Sequence, residues 1–206
     1  MTAGRLITIE GLDGAGKTTL AGGLDEALNA RGLDVRLLRE PGGVRAAERV
    51  RELVKDPELR IGARAEALLY AAARAQLAEE AIEPLLRTGA WVLLDRFIDS
   101  SLAYQGGGRE LGIEPVRAIN EFGMGGLRPD RTLLLMVDAE LGRSRSLQRT
   151  GALDRLEREQ AEFFDRTVAA YLELWAEDRE RIRKIDAGQP PAAVLAEALD
   201  AISDLL

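Results

Sequence analysis

Gly11-Leu12-Asp13-Gly14-Ala15-Gly16-Lys17-Thr18 follows the apolar run Leu6-Ile7-Thr8-Ile9 and precedes a helical pattern over about 19–30. The octet fits G-x-x-x-x-G-K-[ST]. Strand, glycine-rich loop and helix in that order make it a phosphate-binding loop. Glycines let the backbone turn tightly, so that successive N–H groups face one concavity. The new helix adds its positive N-terminal end. Lys17 is placed to reach β- and γ-phosphates, and the Thr18 hydroxyl to ligate magnesium. The alternative is a plain glycine-rich turn before a helix. Against it, the chain has only three lysines, Lys17, Lys55 and Lys184, beside 25 arginines, so a lysine at this position is not background.

Four further strand-like runs lie at 35–38, 91–94, 132–137 and 182–185, with helical patterns between them. Strands alternating with helices imply crossover connections and a parallel sheet covered on both faces. The expectation is one α/β domain over 1–206, with a five-stranded parallel sheet in three layers. Two stretches read as irregular: Gly106-Gly107-Gly108, and 150–154, which arginines flank. The second suits a short lid, or is an ordinary helix–helix loop.

Composition narrows the chemistry. The 206 residues carry a net charge of −7, 46% hydrophobic and 31% charged residues, as in an ordinary soluble protein. There is no cysteine and no histidine. Disulfides, cysteine-ligated metals, histidine zinc sites and Ser-His-Asp hydrolysis are therefore excluded. No apolar run approaches the ~20 residues of a membrane span, and no basic-then-apolar leader opens the chain. A cytoplasmic protein is expected. The negative charge argues against a nucleic-acid-coating surface, so a polyanionic ligand needs a local arginine cluster.

Three candidates supply one. Asp95-Arg96 closes the run 91–94, at the carboxyl end of a parallel strand, where ligands of open α/β sheets bind. Asp95 is placed to meet magnesium at the phosphate loop, and Arg96 offers a planar fork to a phosphate. A surface Asp-Arg pair is the alternative. A predicted helix over about 65–88 gathers Gln76, Glu79, Glu80 and Glu83 on one face and Ala67, Ala71, Leu77, Ala78, Ala81 and Leu85 on the other. Arg74 falls within the apolar face, with Tyr70 one turn before it. Either the pair reads a base, by stacking and edge hydrogen bonds, or Arg74 is a buried structural partner of a carboxylate. Finally, Arg143, Arg145, Arg149 and Arg155 follow the fourth strand. Some are a solvated helix face; a lid arginine is a common source of charge for phosphoryl transfer.

A phosphate acceptor needs no catalytic base, because a phosphomonoester is largely dianionic at neutral pH. Catalysis then reduces to holding two like-charged reactants in line and neutralising them. A histidine-free, arginine-rich site suits that task.

The motifs together resemble the bacterial thymidylate kinases, of the P-loop nucleoside monophosphate kinases. They are the octet 11–18, Arg39-Glu40-Pro41-Gly42-Gly43, Tyr70 with Arg74, Asp95-Arg96, Ser100-Ser101-Leu102-Ala103-Tyr104-Gln105-Gly106-Gly107-Gly108 and Leu153-Asp154-Arg155-Leu156-Glu157. The resemblance runs on through Tyr171-Leu172-Glu173-Leu174 to Ile185-Asp186. It implies a P-loop NTPase fold and ATP- and magnesium-dependent phosphorylation of dTMP to dTDP by a homodimer. The acceptor nucleotide would sit in about 39–110 and the lid in about 143–157. By the same resemblance Asp13 contacts the deoxyribose 3′-hydroxyl, and Arg39 and Arg96 grip the acceptor phosphate. Tyr70 stacks on thymine and Arg74 reads its edge. Ser101, Tyr104 and Gln105 line the deoxynucleoside pocket, and Thr18 and Asp95 serve magnesium. Gly14 stands where another branch of the family carries an arginine, which places the catalytic arginine in the lid. Two positions depart from the pattern: Phe97 stands where histidine or tyrosine is common. Thr150 precedes the lid glycine Gly151, and the arginine sits one step earlier. That leaves Arg149 and Arg155 both open as the arginine on the transferring phosphoryl.

Overall fold

The computed structural model describes residues 4–138, 141–142, 145, 155–156 and 159–206. In chain order the elements are β1 (Arg5–Gly11), α1 (Lys17–Asn29), β2 (Val35–Arg39), α2 (Arg45–Lys55), α3 (Ala63–Leu77), α4 (Glu83–Arg87), β3 (Trp91–Asp95) and α5 (Ile98–Ser101). They continue with α6 (Ile113–Met124), β4 (Arg131–Met136), α7 (Ala161–Glu177), β5 (Ile182–Asp186) and α8 (Pro191–Ala201). Two π-helical segments, Ala78–Ile82 and Leu102–Gly108, join α3 to α4 and extend α5.

All five strands are parallel, in the order β2-β3-β1-β4-β5. The apolar strand runs read as near-continuous because both sheet faces are covered. Strand period still sorts them. Leu6, Val92, Leu94 and Leu134 pack on one side with Leu77, Phe97, Leu102 and Phe163. Ile7, Ile9, Leu93, Leu133 and Leu135 pack on the other with Leu20, Leu24 and Leu28 of α1 and Ala198 of α8. This is the three-layer α/β arrangement expected from the alternation of elements.

The topology places the motifs. The chain leaves β1 toward β2 and β3 on one side and returns to β4 on the other, so the order reverses beside β1. In register, Ile9, Asp95 and Arg39 lie in one row across β1, β3 and β2. The phosphate loop, Asp95-Arg96 and Arg39 therefore share the carboxyl edge at the reversal. Among the described residues no helix is long and apolar enough to cross a membrane.

One helical expectation is met and one irregular stretch is revised. The helix predicted over 65–88 is present as one continuous helical run over 63–87, with a π segment inside it at 78–82; Glu79 and Glu80 are exposed and Ala67, Ala71, Leu77 and Ala78 buried, as the pattern requires. The triplet 106–108, read as irregular, is helical. Its glycines allow close approach: a Cβ on Gly107 would meet Ala170 Cβ at 2.5 Å, and one on Gly108 would meet Phe163 Cε2 at 2.6 Å. The π segment thus lies directly against α7. The predicted irregular stretch 150–154 is outside the described residues.

Candidate functional site

Helix α1 opens at Lys17 behind Gly16, whose φ of 93° is left-handed. The Lys17 side chain folds back over the loop, donating to the carbonyls of Gly11 at 3.1 Å and Leu12 at 2.9 Å. Burial, reinforced by the Arg96 charge, lowers the ammonium to about 8. The amine is therefore enclosed where phosphate oxygens would gather.

Gly14 has a second constraint besides its φ of 78°. A Cβ there would meet the carbonyl oxygen of Gly142 at 1.9 Å. An arginine at this position is sterically excluded unless the segment after β4 moves.

Asp13 and Arg96 are paired across the edge. Arg96 Nη2 donates to Asp13 Oδ1 at 2.9 Å and to the Tyr104 hydroxyl at 3.3 Å. Burial would raise the Asp13 carboxyl, but the Arg96 and Lys17 charges outweigh it and hold it well below the usual carboxylate range. Arg96 itself has φ 71°, a left-handed backbone rare outside glycine. The adjacent Thr18 hydroxyl donates to Asp95 Oδ2 at 3.0 Å.

The Thr18 hydroxyl and the Asp95 carboxylate are suited to magnesium. A hydroxyl and a carboxylate oxygen in contact are hard ligands of the kind magnesium takes, and both groups are partly or fully open to solvent. Among the described residues no cluster of three or more acidic side chains would hold a metal unaided. The fit is to an ion that arrives with substrate phosphates, held by one carboxylate and a hydroxyl.

Arg74, on α3, is buried and fully engaged. Its Nε and Nη2 reach Glu40 Oε2, the latter at 2.6 Å. Nη1 donates to Ser101 Oγ at 2.9 Å and to Asn120 Oδ1, and Nη2 to the Phe97 carbonyl at 2.8 Å. The guanidinium thus donates four hydrogen bonds to protein acceptors, and Nη2 is also ion-paired with Glu40. This is the Arg–carboxylate pairing weighed above, and Asn120 and Glu40 are its unforeseen partners. Burial raises the Glu40 carboxyl, opposed by the Arg74 charge.

Tyr70 lies half-buried on α3, one turn before Arg74. Ser101, Tyr104 and Gln105 are buried in α5 and the π segment. The Tyr104 ring meets Phe163 and Tyr171 of α7 edge-on, with centroids 6.0 and 6.3 Å apart. Gln105 Nε2 donates to Glu66 Oε1 at 2.8 Å. Arg39 stands more exposed, paired with Glu48 at 3.1 Å.

Of the lid candidates, Arg143 and Arg149 lie outside the described residues. Arg145 donates to the Ala187 carbonyl at 3.0 Å. Arg155 donates to Glu66 Oε2 and to the Val54 carbonyl at 2.9 Å. Glu66, fully buried on α3, thus collects Gln105, Arg109 and Arg155.

Sequence reasoning also passed over Glu10. It is buried at the end of β1, where it accepts bonds from Phe97 N at 2.8 Å and Ser100 Oγ at 2.5 Å. The available signal was an acid inside an apolar parallel strand, immediately before the phosphate loop.

This edge combines a phosphate cradle, a lysine, a hydroxyl–carboxylate pair and an arginine bound to the loop's own aspartate. Comparison with known proteins points to the same chemistry. The sequence profile of thymidylate kinase matches residues 9–198. A protein of Oenococcus oeni called thymidylate kinase is 47% identical over 100% of this chain and 98% of its own. One from Alkalilimnicola ehrlichii is 45% identical over 98% and 94%, and one from Ligilactobacillus salivarius 42% over 98% and 99%. With the loop, the Arg-Glu-Pro-Gly-Gly turn and the Asp95-Arg96 edge in place, these matches assign the chain: it belongs to the thymidylate kinase family.

Proposed function

We propose that this protein transfers the γ-phosphoryl group of ATP to dTMP, forming dTDP and ADP by direct in-line displacement. One observation carries the reading: Asp13, inside the phosphate loop, is bound to Arg96 at the end of β3. The loop that holds the donor therefore touches the arginine suited to the acceptor, which brings two anionic reactants to one place.

Each residue then has a task. Backbone N–H groups of 11–18 and the α1 N-terminus cradle the ATP phosphates, and Lys17 leaves the loop carbonyls for phosphate oxygens. Thr18 and Asp95 would hold magnesium, which would supply positive charge to offset the negative charge of the ATP phosphates. Arg96, with Arg39, grips the acceptor phosphate, and Asp13 accepts from the 3′-hydroxyl. Tyr70 stacks on the base; Ser101, Tyr104 and Gln105 shape the sugar pocket. Arg74 presents the base edge with Nη1, in competition with Ser101 and Asn120. Arg149 and Arg155 are the lid candidates for the transferring phosphoryl; the Arg155–Glu66 pairing favours Arg149. A homodimer is part of the proposal. Leu68 on α3 and Phe122 on α6 are 57% and 93% exposed on two helices that pack together, an apolar surface suited to a second copy.

The test is turnover with ATP and magnesium across dTMP, dUMP, dCMP, dGMP and UMP. The highest kcat/KM is expected for dTMP. Preference for another acceptor refutes the base assignment and leaves phosphoryl transfer standing.

A further inference from the structure

The buried Glu10 carboxylate has no part in the roles above, yet it accepts four hydrogen bonds from the turn after β3 and from α7. Oε1 accepts Phe97 N at 2.8 Å and Ser100 N at 3.2 Å. Oε2 accepts the hydroxyls of Ser100 at 2.5 Å and Tyr171 at 3.0 Å. Both amides start α5, whose first turn has no side-chain cap of its own because Phe97 stands at that position. The turn they fix is the one that holds Arg96 at φ 71°, a conformation that persists only where surroundings impose it. The link also runs through side chains. Because the Ser100 hydroxyl gives its proton to Glu10, its oxygen is free to accept Arg96 Nη1, at 3.0 Å.

We propose that Glu10 is a positioning residue for phosphoryl transfer: it fixes the 96–100 turn and, through Ser100, aims the Arg96 guanidinium at the acceptor phosphate. This rests on the reading of Arg96 as the acceptor-phosphate grip.

A purely structural carboxylate is the competing role, and stability separates the two. Burial first, and the Asp99 charge next, raise the Glu10 carboxyl to about 7, against Ser100, Arg96 and the Phe97 amide. The other ionisable groups facing it are Lys17, Tyr104 and Tyr171. A raised folded pKa means that the folded state binds the proton more tightly than the unfolded chain. Stability from this group is present at low pH and is lost as pH rises from about 4.5 through about 7. At pH 8 the charge therefore opposes folding. A glutamine keeps an acceptor for the two amides and removes that charge, so Glu10→Gln should not lower Tm at pH 8.

The experiment measures Tm and both KM values at pH 8 for Glu10→Gln, Ser100→Ala, Arg96→Ala and the Glu10→Gln/Arg96→Ala double variant. Glu10→Gln and Ser100→Ala are each expected to raise the dTMP KM about tenfold or more, with the ATP KM within about twofold. The Glu10→Gln effect should vanish in the Arg96→Ala background, as for residues acting through one contact. Three results overturn the inference: an unchanged dTMP KM in Glu10→Gln, equal losses for both substrates, or a Glu10→Gln loss that persists without Arg96. Should Glu10→Gln fail to fold, Ser100→Ala decides by the same criteria. An Arg96→Ala variant with unchanged dTMP KM refutes instead the reading of Arg96 itself.

Discussion

Arg74 shows how one side chain can be read two ways. Its position on an apolar helix face required either a ligand or a partner, and the structure supplies Glu40, Ser101, Asn120 and the Phe97 carbonyl. Glu40 Oε1 is buried with no hydrogen-bond partner among the described residues, so Glu40 depends heavily on Arg74 for compensation. Removing one member of a buried pair commonly costs about 3–5 kcal/mol. Arg74→Ala is therefore expected to destabilise the fold by that order in chemical denaturation, as well as raising the dTMP KM. A variant with unaltered stability would show that the Glu40 pairing is energetically minor. Lys17 is the contrasting case: among the described residues it bonds two loop carbonyls, so its truncation is expected to leave the core intact.

At the scale of elements, the five strands were legible because apolar runs of β-rich residues separated by helical patterns leave few alternatives. Each observed strand begins and ends within two residues of its predicted run. The phosphate loop was legible because its chemistry is local. The π segment at 102–108 was not, since its glycines are explained by contact with α7, some sixty residues away in sequence. Glu10, Glu66 and Asn120 were missed for the same reason: each is defined by partners from other elements. Of the two arginines proposed for a lid, Arg155 alone lies among the described residues. Arg155 is tied to α3 through Glu66 and to α2 through the Val54 carbonyl. Arg149→Ala is therefore expected to lower kcat by about 10³, in the range of arginine fingers. Arg155→Ala should lose thermal stability with a smaller kcat loss. Reversed kcat losses would assign the transferring phosphoryl to Arg155.

The whole molecule places donor and acceptor groups on one sheet edge and leaves apolar side chains exposed on α3 and α6. Phe122→Asp is expected to convert a dimer to a monomer in light scattering, without loss of the monomer's fold. A monomeric unsubstituted protein would refute the homodimer. The central claim is that the Asp13–Arg96 edge unites ATP with a nucleoside monophosphate, rather than binding ATP alone as a nucleotide switch would. The direct test is product balance with ATP, magnesium and dTMP, followed by ³¹P NMR, with Lys17→Ala as the control. The account predicts dTDP and ADP in equal amounts, and turnover abolished in a folded Lys17→Ala variant. ADP formed without dTDP, or near-full turnover in Lys17→Ala, would contradict it.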